Sequence, residues 1–244
     1  MRNVKIVVEY DGTNFQGWQR QARGETIQGL LEEILSRLDG RRVVVHGAGR
    51  TDAGVHALGQ VASFMLHREM PSLELLRALN GNLGPEVRVR EVSFVEPSFH
   101  ARFSAKAKAY RYVFYLGEVV SPFLHRYVYH CHYRLNVERM RAVAPLFVGQ
   151  HDFSLLCSKS RPGGSTVREI VQLELTEQDE LLEVQITANG FLRSMVRRLA
   201  GTLQEVGRGR LSAEEVERLL RGDQSVPAGP SLPAKGLTLL RVEY

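Results

Sequence analysis

Residues Ala48–Ala57 read AGRTDAGVHA and follow closely on the apolar run Val43-Val44-Val45. An apolar strand that runs into Gly47, Gly49 and Gly54 delivers a tight loop whose backbone approaches its neighbours closely. Between those glycines sit a guanidinium, Arg50, and a carboxylate, Asp52, with the titratable His56 close behind. An Asp in a glycine-rich loop ordinarily caps a turn by accepting a backbone N–H. The basic Arg50 and the nearby His56 support a second reading, in which the loop presses an acid against a ligand.

Working outward, the pattern predicts a strand over Val4–Tyr10 and then the polar, aromatic loop DGTNFQGWQRQ, Asp11–Gln21. Phe15 and Trp18 in that loop either close over the core or touch a ligand. Thr26 is placed to cap a helix whose apolar face is Ile27, Leu30, Leu31, Ile34, Leu35 and Leu38. Val43–His46 is expected as the second strand and Gln60–Met65 as the third. A helix over Ser72–Leu79 and a strand over Val87–Val95 complete a β-α-β-β-α-β order, a split βαβ unit.

The order recurs downstream. Lys108–Tyr115 is expected as a strand, Val137–Phe147 as a helix, and Val167–Thr176 and Leu181–Thr187 as two strands joined by the turn Gln178-Asp179-Glu180. A long helix from Gly190 to Val206, a shorter one over Ala213–Leu220, the Pro/Gly-rich loop VPAGPSLPAKG and a last strand over Leu237–Glu243 follow. The expected fold class is α+β: two ferredoxin-like halves, 1–103 and 104–244, sharing an extended and mostly antiparallel sheet with a central cleft. The halves repeat element order and do not align residue by residue.

Composition bounds the function. The hydrophobic fraction of 43% and charged fraction of 24% are those of a globular protein with a sizeable core. Against 27 acidic residues stand 32 basic ones, a formal charge of +5, and lysine is confined to Lys5, Lys106, Lys108, Lys159 and Lys235. Arginine offers forked donors to phosphate and a planar face to bases, which suits a nucleic-acid partner. The same bias suits a heat-adapted or GC-rich genome. Cys131 and Cys157 make neither a disulfide framework nor a four-ligand metal site, so a reducing, cytoplasmic setting is expected. The start MRNVKIVVEYDG has no apolar h-region, and no run is long enough for a membrane span.

Several chemistries lack their motifs. The chain has no G-x-x-x-x-G-K-[ST], no strand-bound G-x-G-x-x-G, no G-x-S-x-G and no H-E-x-x-H. A reaction without cofactor is expected. His130-Cys131-His132 places two imidazoles on one strand face, but no third ligand is near in sequence, and an ordinary strand surface is the favoured reading over a metal. Tyr110, Tyr112 and Phe114 share one face of a strand flanked by Arg102, Lys106, Lys108 and Arg111. That pattern fits either a core aromatic stripe, which strand periodicity favours, or a platform for stacking RNA bases. In FLRSMVRRLAGTL, Phe191, Met195, Leu199 and Leu203 form an apolar stripe and leave Arg193, Arg197 and Arg198 on other faces.

Five blocks in order, YDGTNFQGWQRQ, AGRTDAGVHALGQV, LNGNLGPEVRV, FHARFSAKAKAYRYVFY and FLRSMVRRLAGTLQEVG, resemble the TruA family of tRNA pseudouridine synthases across essentially the whole chain. One departure is Leu156 in HDFSLLCSKS, where a second aromatic is expected; it touches packing and leaves the chemistry alone. The resemblance implies that Asp52 is the catalytic aspartate and that Arg50 helps hold the target nucleotide out of its stack. It further implies that Tyr110 stacks on the uracil, that Arg197 pairs with Asp52, and that Leu237 packs against the base. The implied substrate is the anticodon stem-loop of tRNA, isomerised at uridines 38, 39 and 40, by a cofactor-free cytoplasmic homodimer. The half 1–103 would carry the Asp loop and the half 104–244 the Tyr strand and Arg helix.

The independent reading is compatible. Turning uridine into pseudouridine breaks the C1′–N1 bond and makes a C1′–C5 bond, with no net redox change and no phosphoryl transfer. A base in or beside a helix must be flipped into a pocket first. One ionised carboxylate can then attack C6 of the base, attack C1′ of the ribose, or remove the 2′ proton. The residues leave all three open. Two rivals are a non-catalytic RNA-binding module, in which Asp52 caps a turn, and a glycosidic hydrolase, disfavoured because such enzymes typically present paired carboxylates.

Overall fold

The computed structural model describes residues 1–158 and 164–244. Lys159 and Ser160, which close the HDFSLLCSKS segment, lie outside the described residues. In chain order the elements are β1 (Arg2–Tyr10), α1 (Ile27–Asp39), β2 (His46–Gly47), β3 (His56–Leu66), α2 (Ser72–Asn82), β4 (Val87–Val95), β5 (Ala107–Tyr115) and β6 (Tyr129–His130). Then come α3 (Val137–Val143), β7 (Gly149–Asp152), β8 (Val167–Gln178), β9 (Leu181–Ala188), α4 (Met195–Gly207), α5 (Ala213–Leu220) and β10 (Leu237–Glu243). They form two compact units, Met1–Lys106 with Thr238–Tyr244, and Ala107–Leu237.

In the first unit, β1 lies between β4 and β3 and is antiparallel to both, while β2 is antiparallel to β3. The order β4-β1-β3-β2 with α1 and α2 as crossovers is the split βαβ arrangement the sequence predicts. Val4, Ile6, Val8 and Tyr10 alternate inward along β1 and are buried, as strand periodicity requires. Thr26 caps α1 by accepting the Gly29 N–H at Oγ1, 3.2 Å, and Gly40 at φ 72° ends it in the left-handed region. Of the expected apolar face, Ile27, Leu31, Ile34 and Leu35 are buried, and Leu30 and Leu38 are half-buried. The last strand, β10, pairs in parallel with the start of β3, Thr238 opposite His56. β2 pairs further along β3, opposite Ala62 and Ser63.

The second strand is shorter than expected. Only His46 and Gly47 join the ladder, because side chains of α1 take over the backbone of the apolar run. The Val43 N–H goes to Ser36 Oγ (2.9 Å), the Val45 N–H to Glu32 Oε1 (3.1 Å), and Gln28 Nε2 donates to the Val45 carbonyl (2.9 Å). A backbone satisfied by side chains has no need of a neighbouring strand.

In the second unit the order is β5-β9-β8-β7, antiparallel throughout, with β6 added in parallel to β5. The β8–β9 turn passes through Asp179 at φ 52°, a conformation Asp tolerates. Two helices differ from the pattern. The expected helix Val137–Phe147 is α-helical only to Val143 and then tightens into a 3-10 turn, Ala144–Phe147, at Pro145, which has no N–H to donate. The long helix begins at Met195 rather than Gly190, because Ser194 is left-handed at φ 60° and breaks the helical run. β7 was not legible, being short and without clear alternation, and of the strand read over His130–His132 only His130 lies in β6. Both α+β units are dominated by antiparallel pairing, and among the described residues no helix is long and apolar enough to cross a membrane.

Candidate active site

The Asp52 loop is built by two segments pressed backbone to backbone within the first unit. Gly12 lies so close to Val55 that a Cβ there would sit 2.0 Å from the Val55 carbonyl oxygen. The Trp18 N–H donates to the Thr51 carbonyl at 3.1 Å, and the Trp18 indole occupies the space a side chain at Gly47 would need. Within the loop, Val55 N–H donates to the Asp52 carbonyl at 3.2 Å and Gly54 takes φ 77°. Trp18 is 1% exposed, so it closes over the core, and its packing fixes the loop.

Polar side chains complete the lacing. The Tyr10 hydroxyl lies 2.8 Å from Thr51 Oγ1, and Gln60 Nε2 donates to the Gly49 carbonyl at 3.0 Å. Burial pushes the Tyr10 phenol up to about 12, although its bonds to Thr51 and Gln60 pull the other way. The Gly12 N–H donates to His56 Nδ1 at 3.1 Å. Asp11 Oδ1 is 3.2 Å from the same nitrogen. A backbone N–H and a carboxylate oxygen thus converge on one ring nitrogen of His56, which is buried beneath the loop. Asp52 is half-buried and Arg50 is exposed, side chains placed at the rim of a rigid loop.

The other three predicted site residues belong to the second unit. Tyr110 is 7% exposed near the start of β5 and meets Phe191 edge-on, ring centres 5.0 Å apart. Tyr112 and Phe114, on the same face, are fully buried and pack edge to face at 5.2 Å. The core reading therefore holds for those two. Tyr112 also donates its hydroxyl to the Pro233 carbonyl at 2.9 Å. Arg197, half-buried on α4, donates through Nε to the Leu232 carbonyl at 2.5 Å, while the Leu232 N–H returns to the Arg197 carbonyl at 3.3 Å. These bonds pin the Pro/Gly-rich loop to the helix just before Leu237, which is buried at the start of β10. Arg50 and Asp52 thus share one loop, and Tyr110, Arg197 and Leu237 lie on or beside elements of the other unit.

The loop's backbone follows α4 closely. A Cβ on Gly201 would sit 2.0 Å from the Pro230 carbonyl oxygen, and Gly229 N–H donates to Thr202 Oγ1 at 3.0 Å. The imidazoles of His130 and His132 lie 4.2 Å apart, yet among the described residues no group of three His, Cys, Asp or Glu is arranged to hold a metal. Sequence reading missed Gln60 and Tyr10 as partners of the Asp52 loop. Tyr10 reads as one more inward residue of an apolar strand, and no local signal marks its hydroxyl.

Comparison with known proteins finds relatives along the whole chain. The family model described as tRNA pseudouridine synthase matches residues 6–104 and 143–244, ranges that hold Arg50, Asp52, Arg197 and Leu237 and leave out Tyr110. The protein named tRNA pseudouridine synthase A of Acetivibrio thermocellus is 41% identical over 244 residues, covering 100% of both chains. That of Citrifermentans bemidjiense is 42% identical over 245 residues, covering 100% of this chain and 98% of its own. A solved structure titled as an H/ACA RNP bound to a substrate RNA containing 2′-deoxyuridine aligns with TM-score 0.41 at 10% identity, over 97% of this chain and 47% of that one. With a family model spanning most of its length and relatives matched from end to end, the chain belongs to the tRNA pseudouridine synthase family.

Proposed function

We propose that this chain isomerises uridine to pseudouridine at positions 38, 39 and 40 of the tRNA anticodon stem-loop, with Asp52 as the catalytic carboxylate. The observation that carries the reading is the end-to-end match to relatives named tRNA pseudouridine synthase A, in a chain whose Asp52 sits half-buried on a laced glycine loop. An isomerisation of this kind requires no redox or phosphoryl cofactor, in line with the absence of the corresponding motifs.

In this reading Arg50, exposed two residues before Asp52, enters the space a flipped nucleotide leaves, and Tyr110 stacks on the uracil. Leu237 packs against the base, and the family resemblance gives Arg197 as the partner of Asp52. The enzyme acts as a cytoplasmic homodimer on tRNA. The detached uracil turns so that C5 replaces N1 at C1′, the hydrogen on C5 leaves as a proton and N1 takes one up.

The test is release of tritium from C5 of uridine in anticodon stem-loop RNA, with binding of that RNA measured in parallel. Wild type is expected to release tritium and Asp52→Asn to release none while still binding. Binding without release by either protein would point to a non-catalytic RNA-binding module, and free uracil as product would point to a hydrolase.

A further inference from the structure

A hydroxyl-and-amide chain buried beneath the Asp52 loop is more polar than packing alone requires. Tyr10, Thr51 and Gln60 are 3%, 7% and 0% exposed. Gln60 Nε2 donates to the Gly49 carbonyl at 3.0 Å and approaches the Tyr10 oxygen at 3.5 Å. The Tyr10 hydroxyl in turn shares a hydrogen bond with Thr51 Oγ1, 2.8 Å away. Gln60 Oε1 is buried and has no partner among the described residues. An apolar pair at positions 10 and 60 would fill this space without leaving an orphaned oxygen.

The chain is aimed at one peptide. Thr51 is held through its side chain by Tyr10 and through its carbonyl by the Trp18 N–H at 3.1 Å, and the next residue is Asp52. Gly49, two residues before Thr51, is held by Gln60. The registry of β1 with β3 shifts at this place: Val8 faces Gln60, but Tyr10 faces Ala57. Such an irregularity redirects side chains at a strand end. It brings a residue from the end of β1 and one from within β3 onto the same loop.

We infer that Tyr10 and Gln60 are positioning residues for the reaction, acting through Thr51 to hold the Asp52 carboxylate at the angle that the chemical step needs. This rests on the assignment of Asp52 as the catalytic carboxylate. Directional bonds specify one loop geometry where apolar packing would tolerate several, and small displacements of a reacting group slow chemistry far more than they weaken binding.

The experiment is single-turnover tritium release, with stem-loop affinity measured separately, for Tyr10→Phe, Thr51→Val, Thr51→Ser and Asp52→Asn. Tyr10→Phe and Thr51→Val should each lower the rate of the chemical step about 10- to 100-fold with affinity unchanged. Thr51→Ser, which keeps the hydroxyl, should restore most of the rate. The double variant Tyr10→Phe/Thr51→Val should be no slower than the slower single variant, because both remove one bond. If Tyr10→Phe unfolds, the Thr51→Ser and Thr51→Val pair still decides, since equal rates in those two would overturn the inference. A wild-type rate in folded Tyr10→Phe beside an inactive Asp52→Asn also overturns it. An active Asp52→Asn would instead overturn the assignment on which it rests.

Discussion

Gly17 lies against Thr51: at φ 86°, it has so little room that a Cβ would sit 2.5 Å from the Thr51 carbonyl oxygen and 3.0 Å from the carbonyl carbon of Asp52. Two requirements meet there, a backbone conformation that side chains disfavour and a close approach that they block. Gly17→Ala is expected to destabilise the protein by about 1–3 kcal/mol and to displace the Asp52 loop. Denaturant melts and tritium release check this together. A variant with wild-type stability and rate would show that the contact relaxes freely.

Gly201 in α4 offers a test in which helix propensity and packing oppose each other. Propensity favours Ala over Gly by about 1 kcal/mol in a helix interior. Here the added methyl would lie 2.0 Å from the Pro230 carbonyl oxygen, so the loop that carries Leu232 would have to lift away. Packing should win. Gly201→Ala is expected to lose roughly 1–3 kcal/mol in denaturant melts, and a gain in stability would contradict the close fit.

The Tyr112 hydroxyl has a structural use. It is the donor to the Pro233 carbonyl, and burial together with the neighbouring Tyr129 raises its pKa, against a smaller lowering by Arg197. Tyr112→Phe should cost about 1–2 kcal/mol by leaving that carbonyl unpaired, with affinity for stem-loop RNA unchanged. Loss of RNA binding at full stability would return Tyr112 to the stacking surface.

Asp39 makes stability pH-dependent. Burial of its carboxylate raises the pKa, but donors from the Arg68 N–H, the His67 N–H and the His67 ring outweigh it, and the net shift is downward. A carboxyl lowered in the folded state contributes stability that is complete above its unfolded pKa and is lost as pH falls through the folded one. The stability difference between wild type and Asp39→Asn should therefore be full near neutrality and shrink below about pH 4. Urea melts across that range measure it, and a gap that stays constant would contradict the lowered pKa.

The formal charge of +5 predicts an electrostatic share in RNA binding. Affinity for the stem-loop should fall steeply between about 50 and 200 mM salt, linearly on logarithmic axes. Filter binding across that range gives the slope. A flat response would leave no role for phosphate contacts made by the arginines.

The residues alone determine element order, helix faces, the glycine loop around Asp52 and the family blocks, because propensity, periodicity and capping act between near neighbours. Thr26 before an apolar stripe specifies α1, and alternation along Val4–Tyr10 specifies β1. Tertiary structure alone decides which apolar run enters a ladder. Val43–Val45 stays outside because the side chains of Ser36, Glu32 and Gln28 on α1 satisfy its backbone. It alone shows that Tyr110, Tyr112 and Phe114 are all buried, with Tyr110 packed edge-on against Phe191. It also brings Tyr10 and Trp18 onto Thr51, and Gln60 onto Tyr10 and Gly49. A strand pattern records that a side chain points inward; which polar group waits there is set by the chain crossing from elsewhere, and that crossing leaves no mark on local sequence.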